Sequence, residues 1–201
     1  MKEKNSPPHL IKKPHGANKA LPPIRIQAPI LLYSGPYLYN DAVCNITVIL
    51  HNIRSLHNVG SIFRTADGAG ISKLYLCGIT PTPLDRFGKM RPELAKVALG
   101  AERNVPWEYS VSTARLVKKL RGEGYRVYAL EQAENSIAYD SPKVSRGAQK
   151  IALILGDEVR GIPSSILKVS DAILEIPMRG KKESLNVSVA FGIAAYALMR
   201  R

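Results

Sequence analysis

From about residue 46 onward, short apolar runs alternate with longer segments whose apolar positions recur every three or four residues. The short runs predict β-strands at 45–52, 73–79, 125–131, 150–156 and 172–177. The longer segments predict helices at 58–70, 92–102, 112–124 and 184–200. Strands that alternate with helices, and that are apolar on both faces, are typical of an α/β fold. We therefore expect a mostly parallel sheet flanked by helices.

Residues 1–45 follow a different pattern, rich in proline and lysine and without a sustained period. Over residues 1–29 there are six basic residues and one acidic residue. Such a stretch buries too little apolar surface to offset the entropy lost on ordering. We predict a flexible basic N-terminal arm at 1–45 and one folded domain at 46–201. The pattern leaves open whether the arm follows the phosphates of a partner or is only a leader.

The charge of the chain indicates the kind of partner. Lysine and arginine number 29 against 16 aspartates and glutamates, a formal net charge of +13. An excess of this size on one domain favours a polyanionic partner, nucleic acid above all. The alternative is that the basic residues serve only to keep the protein soluble.

The composition also excludes several classes of protein. No apolar stretch approaches the length of a membrane span, and the N-terminus lacks the apolar segment of a secretory signal. Cys44 and Cys77 both lie in apolar runs, which is typical of buried thiols in the cytoplasm rather than of a disulfide scaffold. The four histidines have no metal-ligand spacing with these cysteines. We therefore predict a cytoplasmic protein without a metal site.

Polar residues follow the first predicted strand, where open α/β sheets bind their ligands. Asn58 and Arg64 lie six residues apart in the helical segment NVGSIFRTADGAG. We expect the helix to begin at 58–60, where its N-terminus favours anions, and both side chains to lie near one face. Arginine binds phosphate in a bidentate manner. The alternative is that Asn58 caps the helix and Arg64 forms a surface ion pair.

Two later strand ends also carry unusual residues. The segment ILGDEVRGIP (154–163) places Glu158 between two glycines, which suggests a backbone shaped around a ligand, although an ordinary strand-to-helix turn has the same composition. In the segment 175–198, Ser184 and Asn186 precede a long apolar helix, and helix capping alone would account for both. No GxGxxG or GxSxG motif is present, which excludes the common dinucleotide and hydrolase fingerprints.

Taken together and in order, the three segments resemble the SpoU (TrmH-type) family of RNA ribose 2′-O-methyltransferases. The first family motif has an asparagine and, six residues later, an arginine, matched by Asn58 and Arg64. The second, LGxExxG, is matched from Leu155 to Gly161. The third, IPMxG followed by SLNVSVA, is matched from Ile176 to Ala190. The resemblance covers about 46–201, with the motifs in the expected order.

The resemblance implies a fold and a cofactor that periodicity does not predict. Members of the family have a C-terminal deep trefoil knot of the SPOUT type, whereas true knots are rare among proteins. S-adenosyl-L-methionine lies in that knot, held largely by backbone groups. The positions that match this donor site are Leu130, Gly156, Ile176, Met178 and Leu185. Members also act as homodimers in which the catalytic arginine helps to complete the site across the interface.

The resemblance further implies a set of catalytic residues and no metal. Arg64 would activate the ribose 2′-OH, assisted by a neighbouring RNA phosphate. Because a guanidinium is ordinarily protonated, its exact role stays open. Glu158 would orient side chains around the site, and Asn58 would support the segment that carries Arg64. Ser184 and Asn186 would position the substrate or Arg64.

The sequence leaves two rival functions open and offers one candidate RNA-binding surface. One rival is a non-catalytic RNA-binding protein that kept the fold, and the other is a base methyltransferase of the wider knotted superfamily. The basic segment 82–109 is the candidate RNA surface of the folded domain, with Trp107 either stacked on a base or packed into the core. The substrate class stays open between tRNA and rRNA.

Overall fold

The computed structural model describes residues 45–144 and 150–199. The description therefore leaves out residues 1–44, which include Cys44 and all of the predicted arm except Asn45. The elements in chain order are β1 (Asn45–His51), α1 (Leu56–Gly68), β2 (Lys73–Cys77), α2 (Pro92–Ala98), α3 (Ala101–Asn104), β3 (Trp107–Ser110), α4 (Thr113–Gly122), β4 (Arg126–Leu130), β5 (Ile137–Ala138), β6 (Lys150–Leu155), α5 (Ser164–Leu167), β7 (Ala172–Glu175) and α6 (Val187–Met199).

The strands form one seven-stranded sheet in the order β3-β2-β1-β6-β4-β7-β5, and every neighbouring pair is parallel. All five predicted strands are present, and the α/β architecture with a parallel sheet is confirmed. The two strands that the pattern did not predict, β3 and β5, lie at the edges of the sheet. Because parallel strands end at the same edge, the carboxyl ends of β1, β6, β4 and β7 lie side by side.

The sheet is buried on both faces, as its continuous apolar strands require. Along β1, Ile46, Val48 and Leu50 belong to the larger core with α1 and α6, whereas Ile49 belongs to the smaller core with α4 and α5. This alternation follows from the two-residue period of a strand. Each of these side chains is completely buried, which contributes roughly 1.5–3 kcal/mol of transfer free energy apiece.

The helix predicted at 92–102 is divided into α2 and α3. Leu99 has φ 53° and Gly100 has φ 95°, both in the left-handed region that an α-helix does not enter. Trp107 begins the edge strand β3, pairs with Leu74 and packs half-buried against the larger core. Its ring therefore packs against the core rather than standing free to stack on a base.

Cys77 lies at the end of β2 and is completely buried. Burial raises the pKa of its thiol to about 11. The thiol is therefore protonated at neutral pH and acts as a small apolar side chain. Within residues 45–144 and 150–199, no helix has the length and apolar character that crossing a bilayer demands.

Candidate active site

A cavity of about 450 Å³ opens at the carboxyl ends of β4, β6 and β7. Its volume lies within the range of small-molecule sites. All five residues predicted for the donor site line it, together with three of the five predicted catalytic residues. These eight are Leu130, Gly156, Ile176, Met178, Leu185, Glu158, Ser184 and Asn186. The structure thus brings together three segments that are distant in the sequence.

Gly156 and Gly161 allow these segments to approach closely. A Cβ at Gly156 would lie 2.7 Å from the carbonyl carbon of Gly161 and 2.7 Å from Cγ1 of Ile162. Gly161 has φ 64°, and a Cβ there would lie 2.4 Å from Oε2 of Glu131. Glu131 in turn accepts a 2.9 Å hydrogen bond from the backbone N–H of Ile162. A larger residue at Gly156 would therefore collide with backbone, and at Gly161 the left-handed φ disfavours any other residue.

A chain of hydrogen bonds joins one residue from each of the three motifs. Asn58 Nδ2 donates to Glu158 Oε1 at 2.8 Å, and Asn186 Nδ2 donates to Asn58 Oδ1 at 3.1 Å. Asn186 Oδ1 accepts a 2.9 Å bond from the backbone N–H of Ser188, in the first turn of α6. Asn186 therefore caps α6, as its position suggested, and also connects α6 to α1.

The position of Asn58 corrects two expectations. Helix α1 begins at Leu56 rather than at Asn58, because Ser55 is the N-cap and its side chain accepts from the backbone N–H of Asn58. Asn58 is buried, whereas Arg64 is exposed. Six residues correspond to a rotation of about 600°, so the two side chains lie about 120° apart around the axis. The expectation that they share one face was wrong.

Arg64 does not line the cavity of its own chain. It lies in the middle of α1, and within the described part of the chain its guanidinium makes no hydrogen bond or ion pair. The surface ion pair considered for it is therefore not seen among these residues. Among the described residues its side chain is exposed.

The cavity is acidic although the protein is basic. Glu131, Asp157, Glu158 and Glu175 line it, and no lysine or arginine stands among the described lining residues. Burial disfavours the ionised form of Asp157, but bonds from the backbone N–H groups of Arg160 and Val159, with Arg54 nearby, hold its pKa below the ordinary value. Asp157 therefore remains a carboxylate, and the cavity favours a cationic ligand.

Sequence reasoning did not assign Glu131, Asp157 or Glu175 to the site. Glu131 follows β4 directly, and Glu175 ends β7. Their positions at strand ends were the available signal, the same one that drew attention to Glu158. No group of three or more His, Cys, Asp or Glu residues suited to a metal ion occurs among the residues that the structure describes.

The basic segment 82–109 is partly engaged in internal contacts. Arg91 Nε donates to the carbonyl of Thr82 at 3.1 Å, and Arg103 lies 3.5 Å from the buried carboxylate of Glu102. Phe87 is 70% exposed, with the Arg86 guanidinium 4.7 Å from the centre of its ring. The 85–90 tip and the exposed residues Lys96 and Arg103 are thus available to an RNA partner, and contact there stays a prediction.

Comparison with known proteins places the chain in a family. The model of the SpoU rRNA Methylase family matches residues 45–196. The 23S rRNA (guanosine-2′-O-)-methyltransferase RlmB of Escherichia coli K12 is 30% identical over 154 residues, which cover 77% of this chain and 59% of that protein. The chain thus spans less than two thirds of the length of this relative.

Two solved structures are similar to the whole described domain. The AdoMet-bound rRNA methyltransferase of Sinorhizobium meliloti has a TM-score of 0.69 at 28% identity, covering 78% of this chain and 56% of that one. The TrmH/SpoU tRNA modifying enzyme of A. aeolicus has a TM-score of 0.66 at 25% identity, covering 78% and 75% respectively. With its second and third motifs lining one cavity and Asn58 of the first hydrogen-bonded to both, the chain belongs to the SpoU rRNA Methylase family.

Proposed function

We propose that this chain carries the catalytic domain of an S-adenosylmethionine-dependent methyltransferase that modifies the ribose 2′-OH of tRNA or rRNA. The observation that carries the proposal is the acidic cavity, whose lining residues Glu158 and Asn186 are both hydrogen-bonded to the buried Asn58. The relatives named for rRNA methylation and for tRNA modification support the reaction and leave both RNA classes open.

The cavity fits the methyl donor in size and in chemistry. S-adenosylmethionine, when bound, supplies a methyl group made electrophilic by a positively charged sulfur. The carboxylates of Glu131, Glu158 and Glu175 would complement that positive charge. Leu130, Ile176, Met178 and Leu185 would form the apolar walls, and the backbone at Gly156 would hold polar groups of the donor. This arrangement also favours the cationic donor over its neutral product.

Arg64 would act on the RNA rather than on the donor. It is exposed and lies outside the cavity lining, so a guanidinium here would reach the hydroxyl from outside. It would orient the 2′-OH and stabilise the charge that develops as the proton leaves. The buried amide of Asn58 would hold Glu158 and Asn186 in place, with Ser184 at the mouth of the cavity for the substrate.

A homodimer is part of the proposal, because Arg64 is exposed and does not line the cavity of its own chain. In a dimer, α1 of one subunit would present Arg64 to the cavity of the other. Co-expression of Arg64→Ala with Asn186→Ala subunits tests this arrangement. Mixed dimers would then hold one intact site and recover activity that neither variant has alone. No recovery in proven mixed dimers would contradict the arrangement.

The trefoil knot is also proposed here. After β7 the chain returns across the sheet edge, where Gln132 Nε2 donates to the carbonyl of Glu183 at 2.8 Å. It then passes Asn58 and enters α6, which packs on α1. This path supports threading of the C-terminal segment through the loops that follow β4 and β6.

The proposal also includes a division of the chain into an arm and a domain, and a cytoplasmic location. The basic arm at 1–45 would add phosphate contacts beside the methyltransferase domain at 46–201, and its lysines and arginine are the support for this role. A cytoplasmic location is proposed because both cysteines lie in apolar runs, which is typical of reduced, buried thiols.

Alkaline hydrolysis of RNA methylated with labelled donor tests the proposed reaction. A methylated 2′-oxygen cannot attack the adjacent phosphodiester, so ribose methylation leaves alkali-resistant labelled dinucleotides. Label released only as mononucleotides would indicate base methylation, the rival enzyme activity. Binding of RNA without any transfer of label would indicate the non-catalytic rival.

A further inference from the structure

A second, smaller cavity lies beside the donor cavity, at the carboxyl ends of β1 and β2. Its volume is about 180 Å³, and it shares Asp157 and Gly161 with the larger cavity. Arg54 and Arg160 line it, and Ile79 forms an apolar part of the wall at 64% exposure. The volume corresponds to roughly six water molecules, which is enough for a phosphate group.

The small cavity carries an excess of positive charge. Arg54 Nε lies 3.5 Å from Asp157 Oδ2, while the other oxygen of this carboxylate accepts 2.8 Å bonds from the backbone N–H groups of Val159 and Arg160. The guanidinium of Arg160 makes no hydrogen bond or ion pair with any residue of 45–144 or 150–199. Two guanidinium groups therefore face a single carboxylate whose oxygens already have internal partners.

The remaining polar residues of this cavity are paired with one another. His51 Nε2 accepts a 3.1 Å bond from Asn52 Nδ2, so Nδ1 carries the proton and donates to Thr113 Oγ1 at 2.8 Å. Burial lowers the pKa of His51, which keeps the ring neutral. Asn52 Oδ1 accepts a bond from the backbone N–H of Ile79 at 3.1 Å. These residues shape the cavity, whereas Arg54, half exposed and 3.5 Å from Asp157, and Arg160 can both turn their guanidinium groups to a ligand.

We infer that the small cavity binds a backbone phosphate of the RNA substrate, with Arg54 and Arg160 as its ligands. Guanidinium groups bind phosphate oxygens through paired hydrogen bonds, and the exposed side chain of Ile79 suits the adjoining sugar. The inference rests on the proposed function. Because the two cavities share a wall, this phosphate would lie close to the ribose that receives the methyl group.

The test compares two double variants that each remove two positive charges. Arg54→Ala with Arg160→Ala empties the small cavity of cations. Lys118→Ala with Arg126→Ala is the matched control, because both residues are exposed and Arg126 begins β4, at the opposite edge of the sheet. The affinity of each protein for labelled total tRNA and total rRNA is measured at several salt concentrations, and the affinity for S-adenosylmethionine is measured separately.

The cavity variant should bind RNA roughly tenfold more weakly, and the slope of log affinity against log salt should fall by about one. The control should change neither quantity, and donor affinity should stay within about twofold in both variants. Arg160→Ala alone, which breaks no bond within the described part of the chain, should lose RNA affinity with full thermal stability.

Equal RNA affinity in the two double variants would overturn the inference, as would a parallel loss of donor affinity in the Arg160→Ala variant. Binding of inorganic phosphate that Arg160→Ala abolishes, with RNA affinity unchanged, would assign the cavity to a free anion instead. Methyl transfer by the wild-type protein is scored independently. Its absence would refute the proposed reaction, while a selective loss of RNA affinity in the cavity variant would leave the phosphate site standing.

Discussion

Asn58 Nδ2 donates a 2.8 Å hydrogen bond to Glu158 Oε1, although 100 positions separate the two residues in the chain. Asn58 is 8% exposed, so its amide has little access to water and depends on protein partners. Its carbonyl oxygen accepts from Asn186, 128 positions further along the chain. One buried amide thus fixes the relative positions of α1, the turn after β6 and the start of α6.

A double-mutant cycle should reveal this connection. Asn58→Ala and Glu158→Ala are each expected to reduce stability, by about 1–2 kcal/mol for the buried Asn58. Their combined cost should fall short of the sum by about 0.5–1 kcal/mol, because each single variant already breaks the shared bond. Denaturant unfolding measures all three values. Strict additivity would show that the bond contributes nothing to the folded state.

Gly156→Ala should damage the donor cavity. The added methyl group would lie 2.7 Å from Gly161 and Ile162, so the turn would have to move, at a cost of about 1–3 kcal/mol. We expect at least tenfold weaker donor binding by titration calorimetry. Gly180→Ala is the matched control, because no atom of the described residues lies within 4 Å of the position of its Cβ. A similar effect of both variants would contradict the packing explanation.

Arg64→Ala should abolish methyl transfer while donor affinity stays within about twofold. The reason is its position, exposed on α1 and outside the cavity that would hold the donor. Turnover by the labelled-methyl assay and donor binding by calorimetry are measured on the same preparation. Arg64→Lys keeps the charge but not the bidentate geometry, so partial activity would report how much the charge alone contributes. Normal turnover of the alanine variant would refute the assigned role.

Ionised Asp157 should contribute to the free energy of unfolding at neutral pH, and this contribution should be lost in acid. Its pKa is lower in the folded chain than in the unfolded chain, so the stabilisation is complete above the unfolded value of about 3.8. It is lost as the pH falls through the lower folded value. The difference in unfolding free energy between wild type and Asp157→Asn should therefore shrink below about pH 4. A constant difference across this range would mean that the charge of Asp157 does not contribute to the stability of the folded chain.

Sequence patterns predicted the strands better than the helix ends. Continuous apolar runs define buried parallel strands directly, and all five predicted runs became strands. Helix boundaries depend on local backbone geometry, and the pattern at 92–102 gave no weight to the left-handed residues Leu99 and Gly100 that divide it. Edge strand β3 was not predicted, because its half-buried residues lack a continuous apolar run.

Site residues that belong to sequence motifs could be predicted, whereas those that only folding brings to the site could not. The resemblance assigned eight residues that the structure brings to one cavity. Asn58 and Arg64 form one motif but lie on different faces of α1, because six residues of a helix leave two side chains about 120° apart. Glu131 was missed because its importance comes from Gly161 and Ile162, which approach it only in the folded chain.

Transfer of labelled methyl groups from S-adenosylmethionine into total tRNA and, separately, total rRNA decides whether this chain methylates ribose. The RNA is digested to nucleosides and the products are identified by mass spectrometry. We expect a 2′-O-methylated nucleoside in one of the two pools, and its absence after Arg64→Ala. A base-methylated nucleoside, or no incorporation into either pool by a protein that binds the donor and RNA, would rule out ribose methylation by this chain.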